Sequence, residues 1–144
     1  METIKTRVEK SGTFRAEMSE IENIYVFISR TLSESEVDPG IENLFMLAVD
    51  EIFSNIVKYG FDGSGEGATA DISIQIEDGA ASLTFRDGGK PFDPLSANPP
   101  DVLLGLDEKP VGGLGVYIVK NSFDEVRYSR EDDHNVFTLK KYLR

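Results

Sequence analysis

Residues 41–60, IENLFMLAVDEIFSNIVKYG, decide the fold. The stretch is strongly apolar and has no Gly or Pro before its end, so it predicts a long buried helix over Ile41–Tyr59 that stops at Gly60. At about 100° per residue, Phe45, Val49, Ile52, Phe53, Ile56 and Val57 cover one side, while Glu51, Asn55 and Lys58 share an arc of about 60°. A narrow polar stripe therefore interrupts a buried helix. Asp50 lies about 100° from Glu51 on the same wheel, so only Glu51 of the two adjacent acids shares a face with Asn55. From the residues alone the stripe is either a solvated face or a site where a carboxylate takes a proton and an amide oxygen one turn on holds Mg²⁺.

Downstream, Ala70–Glu77 and Ala80–Arg86 read as two strands about Asp78-Gly79, a strong hairpin signal. Leu114–Phe123 reads as a helix opening on glycines, and Val126–Ser129 and Asn135–Tyr142 as a closing hairpin. Upstream, Thr3–Glu9 is β-branched and loosely alternating, which predicts a first strand, and Ser11–Met18 is transitional. Ser19 is placed to cap a helix through Leu32, along which Ile21, Ile24, Tyr25 and Ile28 recur at helical spacing. Ser33–Gly40 then ends that element in an Asp38-Pro39-Gly40 turn. Asp62–Thr69 is Gly-rich, and Asp87–Gly112 holds five of the six prolines without periodicity, a length that suits a functional lid. This order predicts an α/β (α+β) two-layer sandwich with a mostly antiparallel sheet and helices on one face.

A chain of 144 residues, 40% of them hydrophobic, has material for one core and one domain. Fifteen basic against 26 acidic side chains leave a net charge of −11, which disfavours nucleic acid and anionic membrane surfaces as partners. With no cysteine there is no thiol chemistry, disulfide framework or thiolate zinc site. The N-terminal residues Met1–Lys10 lack an apolar core of the signal-peptide kind, and no apolar run approaches the roughly 20 residues that span a bilayer. The expectation is a soluble, cytoplasmic chain. The lone histidine, His134, follows Asp132-Asp133 in what reads as an exposed hairpin tip without a chemical role.

Two glycine-rich segments complete the pattern. Asp87-Gly88-Gly89 ends a strand: it is turn chemistry in isolation, or a carboxylate that accepts from an exocyclic amine while Gly89 lets a planar ring approach the backbone. Gly112-Gly113-Leu114-Gly115 opens a helix and would present backbone N–H groups to an anion. Neither a P-loop nor a dinucleotide fingerprint is present.

The order Glu51-x-x-x-Asn55-x-x-Lys58-Tyr59, Asp87-x-Gly89, a long loop and Gly113-x-Gly115 resembles the N, G1 and G2 boxes of the GHKL, or histidine kinase-like, ATPase superfamily. Over roughly Thr3–Lys141 the chain looks most like the small anti-sigma-factor serine-protein kinases of that superfamily. The resemblance implies a Bergerat-type ATP-binding fold, ATP and Mg²⁺ as cofactors, and Lys90–Gly112 as an ATP lid. It implies that Glu51 is the general base, Asn55 the Mg²⁺ ligand, and Lys58 a basic residue near the phosphates. Asp87 would bind the adenine amino group beside Gly89, and Gly113 and Gly115 would contact phosphate. The family's polar Thr near the start of the last strand is replaced here by Asn135 or Val136, with Thr138, on the face of Val136, as the substitute. The family often places Arg before the lid's final glycines, where this chain has Lys109-Pro110-Val111. The implied partners are an antagonist protein that accepts phosphate, a sigma factor, and a second copy of the chain. The alternative is a non-catalytic switch that binds a protein with or without nucleotide.

Overall fold

Residues 7–61, 67–96 and 113–143 are described in the computed structural model. Five strands, β1 (Val8–Arg15), β2 (Thr69–Glu77), β3 (Ala80–Asp87), β4 (Glu125–Glu131) and β5 (His134–Tyr142), form one sheet in the order β1-β2-β3-β5-β4. Every neighbouring pair is antiparallel. Three helices, α1 (Ile21–Glu34), α2 (Pro39–Asn55) and α3 (Gly113–Ser122), join the sheet in one core.

Strand alternation explains why only one face is covered. Ile72, Ile74, Leu83, Phe85, Phe137 and Leu139 are buried, whereas the intervening Ser73, Gln75, Thr84, Arg86, Val136 and Thr138 are only half-buried. The buried set meets Ile24, Ile28 and Leu32 of α1, Phe45, Val49, Ile52 and Phe53 of α2, and Val119 and Phe123 of α3. Phe45 and Phe123 meet edge to face with centroids 5.1 Å apart, locking α2 against the end of α3. The two-layer α+β architecture expected from the sequence is the observed one.

Several boundaries differ from the sequence reading. The first strand runs to Arg15, through residues that look transitional, because each of them pairs with β2 from Val8↔Ile76 to Arg15↔Thr69; residues 1–6, where that strand was expected to start, lie outside the described residues. Ser19 does not cap α1; its hydroxyl donates to Glu17, and a short 3₁₀ turn over Met18–Glu20 leads into the helix. The triplet Asp38-Pro39-Gly40 starts α2 rather than closing a turn: Asp38 Oδ1 accepts from the Gly40 N–H at 2.7 Å, and Pro39 takes the first helical position. At its other end α2 widens at Ile56 into a π-helical turn through Gly60. The β2–β3 hairpin turns at Asp78-Gly79 with φ of 53° and 75°, and β4–β5 turns at Asp132-Asp133 with φ of 50° and 62°.

Candidate functional site

Glu51 and Asn55 project from α2 one turn apart, Glu51 against the first turn of α3 and Asn55 toward the end of β3. Asn55 is 6% exposed and lines a pocket at the end of β3, while Glu51 is half-buried beneath the first turn of α3. A Cβ at Gly115 would lie 1.9 Å from Glu51 Cδ and 2.1 Å from Oε1, so α3 rests directly on the carboxylate. The Glu51 carboxyl titrates above its ordinary range: burial is the main cause, repulsion from Asp50 adds to it, and Lys58 opposes it. Asp50 turns away to accept from the Tyr25 hydroxyl of α1 and is also raised, by burial and then by Glu22.

The opposite wall is built on Asp87, the last residue of β3, which is 3% exposed. Its Oδ1 accepts from the Gly89 N–H at 2.9 Å and from Asn135 Nδ2 at 3.2 Å. The π-turn presses the Gly60 carbonyl into the same corner, where it accepts from the Lys90 N–H at 2.9 Å. A Cβ at Gly89 would sit 2.7 Å from Gly60 O and 2.9 Å from Asp87 Oδ1, so residue 89 has no room for a side chain. Phe92 stacks on Tyr59 with ring centroids 5.0 Å apart and planes 21° off parallel. Asn55, Gly60, Asp87, Phe92, Tyr128 and Asn135 are among the residues lining the resulting pocket, whose volume is about 20 Å³. That is room for a water and far below the 300 Å³ or more of a typical open ligand site.

The structure therefore sets Asn55 in one pocket with Asp87, which bonds Gly89, and sets Glu51, one helical turn away on α2, against Gly115. Lys58 is exposed on the π-turn and reaches Glu51 only through its charge. Gly113 is the first residue of α3. Thr138 is not part of the site. It pairs with Thr84 across β3 and β5, the two hydroxyl oxygens 3.2 Å apart, on the sheet face away from the helices. Asn135, directly opposite Asp87 in the register, takes the inward position. Val136 and Thr138 share the outer face because side chains alternate along a strand. From sequence Tyr59 is read only as the end of the helix motif, and neither Phe92 nor Tyr128 is given a role there. Counting forward from the Asp132-Asp133 turn would have placed Asn135 correctly, whereas Phe92 follows no periodic pattern. His134 is partly buried beside the turn, its Nδ1 2.7 Å from Asp132 O. Of the expected lid, Lys90–Ser96 is described and 97–112 lies outside the described residues.

Among the described residues no group of three His, Cys, Asp or Glu side chains could hold a metal ion alone.

A single antiparallel sheet with helices on one face, and a Glu/Asn helix facing a strand-end Asp, defines the Bergerat-type sandwich. The chain belongs to the histidine kinase-like ATPase domain family, whose profile matches residues 14–141. Serine/threonine-protein kinase BtrW of Bordetella bronchiseptica is 30% identical over 93 residues, 65% of this chain and 65% of that protein. The chain thus aligns with just under two thirds of that relative. The anti-sigma F factor of Anoxybacillus flavithermus is 28% identical over 112 residues, 76% of each chain. A solved structure of the RsbU and RsbW domains of a Mycobacterium tuberculosis protein has the same fold, with a TM-score of 0.68 over 94% of this chain and 32% of that one at 15% identity. No described helix is long and apolar enough to cross a membrane.

Proposed function

We propose that the protein is an ATP- and Mg²⁺-dependent serine/threonine-protein kinase of the anti-sigma-factor type, which transfers the γ-phosphoryl group to an antagonist protein and binds a sigma factor. The observation that carries this reading is that Asn55 and Asp87 line one pocket, while Glu51, one helical turn before Asn55 on α2, lies against Gly115 at the start of α3. A pure binding module has no need of a base on the Asn55 face of α2. Relatives named as a serine/threonine-protein kinase and an anti-sigma factor support it.

In this reading Asp87 accepts a hydrogen bond from the adenine amino group, and Phe92 and the apolar pocket wall exclude water from the base. Asn55 orients the metal-bound phosphates. Mg²⁺, when bound, neutralises phosphate charge and favours departure of ADP. Glu51 accepts the proton of the attacking serine or threonine hydroxyl as that oxygen bonds to phosphorus and the bond to the ADP oxygen breaks. Its raised proton affinity makes it a better base than an exposed glutamate. The acidic chain adds no general attraction for a polyanion, so affinity rests on the metal, Lys58 and local N–H donors. Residues 90–112 serve as the lid, and a second copy of the chain supplies the dimer partner.

Calorimetric titration with ATP, with and without Mg²⁺, followed by assay of phosphate incorporation into a candidate antagonist, tests the proposal. Binding in the presence of Mg²⁺, weakened when the ion is chelated, and transfer abolished by Glu51→Ala with binding retained, is the expected result. Absence of binding at millimolar Mg²⁺-ATP would overturn it. The small volume of the pocket favours one second reading, a protein-binding switch that takes no nucleotide, and the same titration separates the two.

A further inference from the structure

We propose that Asn135 is a positioning residue for base recognition, which holds the Asp87 carboxylate and the Lys90–Phe92 segment in one arrangement and thereby sets the pocket's preference for a 6-amino over a 6-oxo purine. The proposal rests on the nucleotide-binding reading above and adds to it a residue and a specificity.

A side-chain amide offers two N–H donors and an oxygen with two lone pairs. At Asn135 all four are used. Nδ2 donates to Asp87 Oδ1 at 3.2 Å and to Lys90 O at 2.8 Å. Oδ1 accepts from the Phe92 N–H at 3.1 Å and from the Tyr128 hydroxyl. The side chain is 6% exposed, so water does not replace a lost partner cheaply. The partners also set the orientation of the amide, since a flip would turn its oxygen toward a carboxylate and a carbonyl.

Asn135 of β5 thus ties together the end of β3 with the segment that runs on from it, and β4. The same segment is tied by the Lys90 N–H to Gly60 O at 2.9 Å and by Arg130, whose guanidinium donates to Gly89 O at 2.8 Å. Neither of those bonds touches Asp87. Asn135 holds both the carboxylate and the strap that carries Phe92, the ring stacked on Tyr59.

The consequence is chemical. Gly89 and Asn135 both bond Oδ1 of Asp87, so a ligand amine is read by Oδ2. A fixed carboxylate oxygen accepts from an amino group and repels a carbonyl oxygen at the same position, and a buried site built to accept a hydrogen bond discriminates strongly against a ligand that has none to give. If the carboxylate can rotate, that discrimination falls first.

The experiment measures ATP and GTP affinity by calorimetry for the native chain, Asn135→Asp and Asn135→Ala, with thermal melting as the check on folding. Asn135→Asp keeps shape and both acceptor contacts but removes the donors. The native chain is expected to prefer ATP. Both variants are expected to lose about tenfold or more of the ATP to GTP ratio, with ATP affinity falling and GTP affinity changing little. Equal losses for the two nucleotides, or an unchanged ratio, would show that Asn135 only supports the fold and would overturn the proposal. Should both variants fail to fold, Tyr128→Phe removes a single donor to the amide; a ratio lowered several-fold supports the proposal and an unchanged one overturns it. A native chain that binds neither nucleotide defeats the function reading itself, whereas ATP binding with an unaltered ratio in the variants defeats only the role of Asn135.

Discussion

Gly115 lies so close to Glu51 that a methyl group on residue 115 would fall 1.9 Å from the carboxyl carbon. The atoms met are the far end of a flexible side chain, so the carboxylate can move where the backbone need not. Gly115→Ala is therefore expected to fold, aided by the better helix propensity of Ala, worth about 1 kcal/mol. Phosphoryl transfer should fall about 100-fold, because the base is displaced by an ångström or more. Thermal melting and single-turnover transfer, measured together, check this; near-native transfer would mean that Glu51 is not the base.

Gly89→Ala should behave in the opposite way. Its Cβ would meet Gly60 O at 2.7 Å, and backbone gives way only if the π-turn shifts. A loss of about 1–3 kcal/mol of stability is expected, the range for overpacking a close contact. Denaturant unfolding measures it, and an unchanged midpoint would refute the close approach.

Glu51→Gln tests the proton affinity of the base. The folded-state carboxyl titrates above its ordinary value of 4.5. The native state therefore holds that proton more tightly than the unfolded state, and native stability falls as pH rises through the window above 4.5. Glutamine carries no such term, so the variant should be more stable than the native chain at neutral pH, with the gap closing in acid. Melting curves across that range decide it; a gap independent of pH would contradict burial as the cause of the shift. In the native chain the acid limb of the transfer rate should lie above the ordinary glutamate range.

Asp87→Asn and Thr138→Val form a matched pair. The first converts one acceptor oxygen into a donor in the pocket and should weaken ATP binding about 10–100-fold. The second removes a hydroxyl whose partner is Thr84 on the outer face, and should cost about 1 kcal/mol of stability with ATP affinity unchanged. Calorimetry on both separates the faces of β5: a Thr138→Val variant that loses binding would contradict the observed register.

Much of this was legible from the chain alone. The apolar run around Glu51 and Asn55 showed a buried helix with a polar stripe, and Asp78-Gly79 between alternating segments showed a hairpin, because helical and strand periodicities are local signals. Asp87, Gly89 and Gly115 were picked out by their order and spacing after Glu51 and Asn55, which resemble the family's boxes; taken alone, Asp-Gly-Gly and a glycine cluster are ordinary turn chemistry. What the sequence determined was thus the elements, their order and the residue types at the strand and helix ends.

Tertiary structure decided the rest. Whether Asn135 or Thr138 faces Asp87 depends on register, and a shift of one residue sends a side chain to the other face. The extension of β1 to Arg15 depends on pairing with β2, which lies more than fifty residues away in the chain. The π-turn that carries the Gly60 carbonyl to Gly89 and Lys90 has no periodic signature, and the stacking of Phe92 on Tyr59 joins an irregular segment to a helix end. Each of these is a contact between segments distant in sequence, whose geometry is set by packing and by the pairing of buried polar groups rather than by the preferences of neighbouring residues.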